Sequence, residues 1–377
     1  MTQLQATPDS RIGALDVLRG VAIFGTLGTN IWIFTDPNGP ASFLPATDPT
    51  TLPGAVETTL RALANGKFLA LLTLLFGVGL ELQYRSALRR GGRWPGWYLW
   101  RAALLFVEGL LHYLLIFEFD VLMSYAVTSL LVAHLVGRSE RAVSWWIGVT
   151  TAVHLLFIAL ITGALLAGNA SLRTEPTALY AHGSWPQQVA ARIDDWLVYR
   201  AEAIFVVPMS IALFLLGAKL HRAGAFAPEG QRLRNRLMII GFGIGAPLNL
   251  LTAFAGPGWF MVDRYVLPPL VALGLLGLIP SAVRGSGPLL RGMTSVGRTA
   301  LSCYVLQNLA AAALCYGWGL GLAVRLDAWR PWWTIVAWAA ISAAFMLLST
   351  WWLRHHRRGP LEAAWHRAYL LPQRSAR

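Results

Sequence analysis

Residues 14–34 read ALDVLRGVAIFGTLGTNIWIF, and this stretch decides the fold. Charge is confined to Asp16 and Arg19 near its start, and from Gly20 onward only Thr26, Thr29 and Asn30 interrupt an apolar run. A helix crossing the hydrocarbon core of a bilayer needs about 20 mostly apolar residues. The stretch meets that length as a single span. Working outward, comparable runs recur at 68–83, 97–117, 121–136, 144–167, 201–220, 237–254, 265–283, 300–320 and 332–353. In lipid every backbone donor and acceptor must be satisfied internally, so these runs predict closed helices and no strands. The expected fold is all-α: a polytopic bundle of about ten transmembrane helices forming one domain over 1–377.

Composition agrees. Charged residues make up 13 % of the 377 and hydrophobic residues 56 %, whereas a soluble domain is about 25 % charged. The 17 Trp suit helix ends at membrane interfaces. A net charge of +13 would suggest nucleic acid in a soluble chain. Here the basic residues punctuate alternate loops, so nucleic acid is not expected as a partner. Arg85, Arg89, Arg90 and Arg93, then Arg138 and Arg141, then Lys219, Arg222, Arg232, Arg234 and Arg236, then Arg284 and Arg291 fall on one side. The 354–377 tail adds Arg354, Arg357, Arg358 and Arg367 to that side. The opposite loops carry Asp36, Asp48, Glu57, Glu118, Asp120, Glu175, Asp194, Asp195 and Asp263. Lys and Arg gather in cytoplasmic loops, so both termini are expected in the cytoplasm. No cleavable leader is expected before Arg11, because residues 1–10 hold no apolar run. Residues 35–66 and 168–198 read as long external loops, of the length that often serves as a lid.

Ionisable side chains inside a span are costly and point to a cavity or a partner. Asp16 and Arg19 stand three apart and can pair on one helical face; an ion pair at the inner helix end and a ligand-binding role are both open. Arg101, Glu108 and His112 share a stripe of the third span. Glu108, four residues before His112, can orient the imidazole as a general base requires; a structural hydrogen-bond network is the alternative. Asp120 and Tyr125 follow at the external start of the fourth span. The ninth span carries Arg298 at its start and Gln307 and Asn308 near mid-membrane, where two amides demand a polar cavity. His134 and His154 are isolated on apolar helices and read as satisfied core histidines. Cys303 and Cys315, the 2 cysteines, read as small apolar residues rather than a disulfide or zinc site. No metal-ligand spacing, phosphate loop or nucleophile elbow is present, so no metal is expected.

Several of these pieces together resemble the YeiB-type family of bacterial membrane proteins. They are Arg11-Ile-Gly-Ala-Leu-Asp16-Val-Leu-Arg19-Gly20 with Asn30; Gly66-Lys67-Phe68 with Phe76-Gly77; Gly109-Leu-Leu-His112 with Asp120 and Tyr125; Gly297-Arg298 through Tyr304 and Gln307; and Gly359-Pro360-Leu361-Glu362. The first-span signature also resembles a wider group, the transmembrane acyltransferases, which includes heparan-α-glucosaminide N-acetyltransferase. In its surface-sugar branch a His stands fourteen residues after the signature Asp; here that position is Asn30, and residues 31–66 contain no His.

The resemblance implies a bacterial cytoplasmic (inner) membrane protein that transfers an acyl group from cytoplasmic acyl-CoA to a hydroxyl or amine at the far face. On that reading Arg11, Arg19, Arg101 and Arg298 would meet the CoA phosphates. His112, oriented by Glu108, would be the base, and Asn30 and Gln307 would donate to the oxyanion. Lys67, Asp120, Tyr125 and Asn308 would face the acceptor, a small molecule, glycan or lipid. Membrane lipids are expected partners, and likeness to the heparan enzyme implies a homodimer. The rival expectation is a carrier of a small metabolite or lipid, with Glu108 and His112 as a proton relay. A non-catalytic scaffold is the third.

Overall fold

The computed structural model describes residues 8–43, 49–169, 177–283 and 287–375, with side chains from 13 to 371 within those ranges. In chain order the helices are α1 (Pro8–Phe34), α2 (Leu52–Ala64), α3 (Lys67–Arg89), α4 (Tyr98–Leu115), α5 (Leu122–Leu135) and α6 (Glu140–Leu166). The short α7 (Leu179–His182), α8 (Trp185–Asp194) and α9 (Trp196–Arg200) lead into α10 (Ala203–Arg222) and α11 (Gln231–Met238). A π-helical stretch, Ile239–Gly245, joins α11 to α12 (Ala246–Phe254). Then come α13 (Phe260–Tyr265), α14 (Pro268–Ala282), α15 (Pro288–Arg298), α16 (Ala300–Cys315), α17 (Leu322–Arg325), α18 (Trp332–His355) and α19 (Pro360–Ser375). No strand occurs among the described residues.

Among the described residues, eight helical segments are long and apolar enough to cross a membrane. The other two expected spans are present as shorter apolar helices, α5 and α16. At about 1.5 Å per residue neither covers the roughly 30 Å of a hydrocarbon core. Each is cut short by the backbone beside it. Residues 116–121 form an irregular turn ahead of α5. Thr299, at φ −115° and ψ 34°, breaks α16 from α15. Both helices carry many buried residues, Thr128 and Ser129 on α5 and Ser302, Gln307 and Asn308 on α16 among them. Irregular backbone at membrane depth is tolerated where protein covers it.

Close packing holds the bundle. α3 and α10 meet through glycine: a Cβ on Gly77 would run into the backbone of Phe214, and one on Gly217 into that of Leu74. Small residues let two backbones approach where lipid supplies no hydrophobic drive between helices. At the end bearing the arginine-rich loops, Arg222 of α10 pairs with Glu81 of α3 at 2.7 Å and with Glu140 of α6 at 3.0 Å.

The segments read as long loops contain helices. Thr51 accepts from Gly54 N at 3.2 Å and Pro53 stands in the first turn, so α2 starts at a regular cap. Within 168–198, α7 and α8 fold against the turn between α4 and α5. Arg192 of α8 pairs with Glu118 at 2.6 Å, with both side chains buried. Its remaining donors reach Leu114 O at 3.0 Å and Ile116 O at 3.2 Å, carbonyls that the end of α4 leaves unpaired. Tyr180 of α7 donates to Glu118 at 2.6 Å. Burial and that carboxylate push the Tyr180 phenol up, which keeps it a donor. Arg200 completes the clamp, donating to Asp120 O at 3.0 Å and to Glu118 O. Glu118 and Asp120 are therefore not loop surface but buried members of a pinned turn.

Candidate functional site

That pinned turn is what delivers Asp120 to His112. Asp120 Oδ2 accepts from Leu122 N at 2.9 Å and Met123 N at 3.3 Å, capping α5. Its Oδ1 lies 2.9 Å from His112 Nδ1. On the other side of the ring, His112 Nε2 lies 3.2 Å from Nδ2 of Asn308. Asn308 Oδ1 in turn accepts from Asn30 Nδ2 at 3.3 Å. An amide nitrogen can only donate, so Nε2 is the acceptor and Nδ1 carries the proton toward Asp120. Tyr304 packs on the imidazole with ring centroids 5.1 Å apart. The result is one directional chain, Asn30 to Asn308 to His112 to Asp120, tying α1, α16, α4 and the α4–α5 turn. His112, Asp120 and Asn308 are all buried.

This corrects the expected role of Glu108. Asp120, not Glu108, orients His112. The two α4 residues share a stripe, but Glu108 Oε2 is buried with no hydrogen-bond partner, facing the fields of Asp120 and Glu362. The two ring nitrogens of His112 are taken by Asp120 and Asn308, which leaves none for Glu108. Gln307 also differs from expectation. Its Nε2 donates to Ile23 O at 3.1 Å, and the atom left buried without a partner is the acceptor Oε1. The unpaired atom at this position is therefore an acceptor, not the donor an oxyanion would need.

Lys67 and Tyr125 do not join the chain. Lys67 Nζ donates to Ala62 O, and to Asn65 O at 3.5 Å, closing the end of α2. Tyr125 OH lies 2.6 Å from Thr73 Oγ1 and reaches Leu69 O at 3.1 Å, a link between α5 and α3. Near the start of α1, Arg19 pairs with Asp16 at 2.9 Å. Asp16 also feels Arg298, which is exposed, and Arg101 feels Arg19. The guanidinium of Arg101 lies 4.7 Å from the ring of Trp365 on α19. Arg19, Arg101 and Arg298 thus form one neighbourhood; Arg11 lies outside the described side chains. Helix α19 is held over this end by Glu362, which accepts from Leu301 N at 2.9 Å, Ser302 N at 3.2 Å and Ser302 Oγ. A carboxylate there complements the positive N-terminal end of α16. Among the described residues no three His, Cys, Asp or Glu side chains gather as a metal site.

A second polar cluster went unread in the sequence. Asp263 accepts from Asn65 at 2.7 Å and from Asn249 at 2.8 Å, and Arg264 donates to Asn65 Oδ1 at 2.5 Å. Tyr265 joins it to Glu202 at 2.5 Å. The signals were Asn249 within an apolar run and the opposite charges Asp263-Arg264 at the start of another.

Comparison with known proteins fits this picture. The family described as a protein of unknown function (DUF418) matches residues 220–372. The uncharacterized protein YxaH of Bacillus subtilis is 26 % identical over 405 aligned residues, covering 98 % of this chain and 97 % of that one. The uncharacterized protein YeiB of Escherichia coli is 29 % identical over 388, covering 94 % of this chain and 95 % of that one. No solved structure matches. The chain is thus an all-helical membrane bundle that is similar to YxaH and YeiB along nearly its whole length, with the DUF418 match lying in its second half.

Proposed function

We propose that the chain is an acyltransferase of the bacterial cytoplasmic membrane that moves an acyl group from cytoplasmic acyl-CoA to a hydroxyl or amine acceptor. One observation carries the reading: a buried carboxylate holds Nδ1 of His112, at 2.9 Å, so that Nε2 keeps its lone pair. This is how a carboxylate sets a histidine to act as a base. An acceptor hydroxyl that takes the place of the Asn308 amide gives its proton to Nε2 while its oxygen bonds to the thioester carbonyl carbon. The adduct then collapses with cleavage of the C–S bond, and His112 returns the proton to the sulfur. The products are the acyl ester and free CoA thiol. Asn308, with Asn30 behind it, is close enough to donate an N–H to the transient oxyanion. The Arg19, Arg101 and Arg298 neighbourhood supports the reading as a site for CoA phosphates, since guanidinium forks suit phosphate oxygens.

The test is release of free thiol from acetyl-CoA by purified protein, measured with and without candidate acceptors. His112→Ala should abolish the acceptor-dependent release. Asp120→Asn should lower it about a hundredfold or more, the usual worth of an oriented general base. Undiminished release from His112→Ala would sink the assignment. A second reading has one observation in its favour, the buried and unpartnered Glu108 Oε2 on the His112 stripe. Intramembrane carboxylates of this kind relay protons in carriers. Glu108-dependent uptake into proteoliposomes lacking CoA would favour it.

A further inference from the structure

At the end of the bundle opposite the arginine-rich loops, a pocket of about 160 Å³ opens between α1, α2, α12 and α13. Its polar floor is Asn65, Asp263 and Arg264, and Arg61 stands in its wall. Arg264 is only 8 % exposed, yet its hydrogen bonds go to neutral oxygens: Nε donates to Tyr265 OH at 3.0 Å and NH1 to Asn65 Oδ1 at 2.5 Å. Among the described residues it forms no ion pair, and its NH2 donates to nothing. The one carboxylate on the floor, Asp263, has both oxygens occupied by the amides of Asn65 and Asn249. The cavity therefore presents donors rather than acceptors. Arg61 strengthens the bias, because its Nε is held by Glu57 at 2.8 Å and its NH1 by Ser42 O at 3.3 Å, while its NH2 donates to none of the described residues. The negative charges of Asp263 and Glu202 act on Arg264 from within the cluster, yet neither makes a direct ion pair with it, which leaves the guanidinium able to take an anion from the cavity.

The rest of the lining says what kind of anion. Trp32, Phe43, Phe254 and Phe260 make the walls, and Phe254 is 48 % exposed at the rim, on a helix long and apolar enough to face lipid. A small hydrophilic anion would have no use for four aromatic rings, whereas an amphiphile uses both surfaces. We propose that this pocket binds the phosphate headgroup of an anionic lipid, with Arg264 and Arg61 on the phosphate and the chains against the aromatic wall. Phe43 lies under the Arg264 guanidinium at 4.5 Å and stacks on Phe119 at 4.5 Å, one residue from Asp120. The lipid head thus sits one aromatic layer from the His112 chain. Binding there does not depend on acyl transfer, and the two can fail separately.

The experiment is native mass spectrometry of the detergent-solubilised full chain with phosphatidylglycerol, diacylglycerol and glycerol phosphate. Wild type should retain phosphatidylglycerol at least fivefold better than diacylglycerol. Arg264→Gln should erase that preference. Thr58→Glu, which puts a carboxylate on the α2 wall of the pocket without touching the floor cluster, should reduce it and covers the case in which Arg264→Gln misfolds. The proposal is overturned if either variant, shown folded by its thermal transition, keeps the wild-type preference. It is equally overturned if glycerol phosphate displaces the lipid at comparable concentration, since the site would then be for a soluble anion.

Discussion

Glu118, Asp120 and Arg192 look alike in the sequence, as charges in external loops, and the fold separates them by burial. Removing one partner of a buried ion pair leaves an uncompensated charge and costs about 3–5 kcal/mol. Arg192→Ala should therefore lower the thermal midpoint strongly in detergent, and it should also loosen the turn that presents Asp120. Arg330, which pairs with Asp36 and lies 3.3 Å from Glu57 at a more open site, should cost far less when replaced by Ala. His112 was legible because a histidine within an apolar run is conspicuous. Its partner was not, because helical spacing favours a neighbour on the same helix and says nothing about a residue carried in by a turn. The Asn65, Asn249, Asp263 and Arg264 cluster escaped for a related reason. Asn65 stands 198 residues from Asp263 in the chain, and only the approach of α2 to α12 and α13 brings the four together.

At the level of elements, hydropathy located the eight candidate spans and two shorter apolar helices found among the described residues, since a long apolar run has few alternatives to crossing the bilayer. It placed α5 to within a residue at each end and overstated the length of α16. Composition runs straight through residues 316–320, where the backbone turns aside. Glycine is equally opaque from sequence. Gly77, Gly79 and Gly217 read the same, yet Gly79 has nothing within 4 Å of where a Cβ would stand. Gly217→Leu should force α10 away from α3 and destabilise by about 1–3 kcal/mol or more. Gly79→Ala should be neutral or raise stability by up to about 1 kcal/mol through helix propensity. Thermal unfolding of the two variants side by side tests whether close backbone approach, rather than glycine content, holds this pair.

For the molecule as a whole, orientation rests on the alternation of basic and acidic loops, and it is directly checkable. The native Cys303 and Cys315 are buried, so an introduced cysteine reports alone. In intact cells a membrane-impermeant maleimide should label Asn38→Cys and spare Arg90→Cys until the membrane is opened; the reverse pattern would invert the molecule. Orientation also gives the Asn30–Asn308–His112–Asp120 chain a consequence of its own. Every donor in it points the same way because Nε2 is bare. A proton placed on Nε2 makes that nitrogen a donor, so Asn308 must turn its oxygen toward the ring. Its nitrogen then faces Asn30, which must turn as well. The two amides behave as a pair of coupled tumblers, and the charge on one imidazole in α4 is written into the side-chain pose of α1, two hydrogen bonds away.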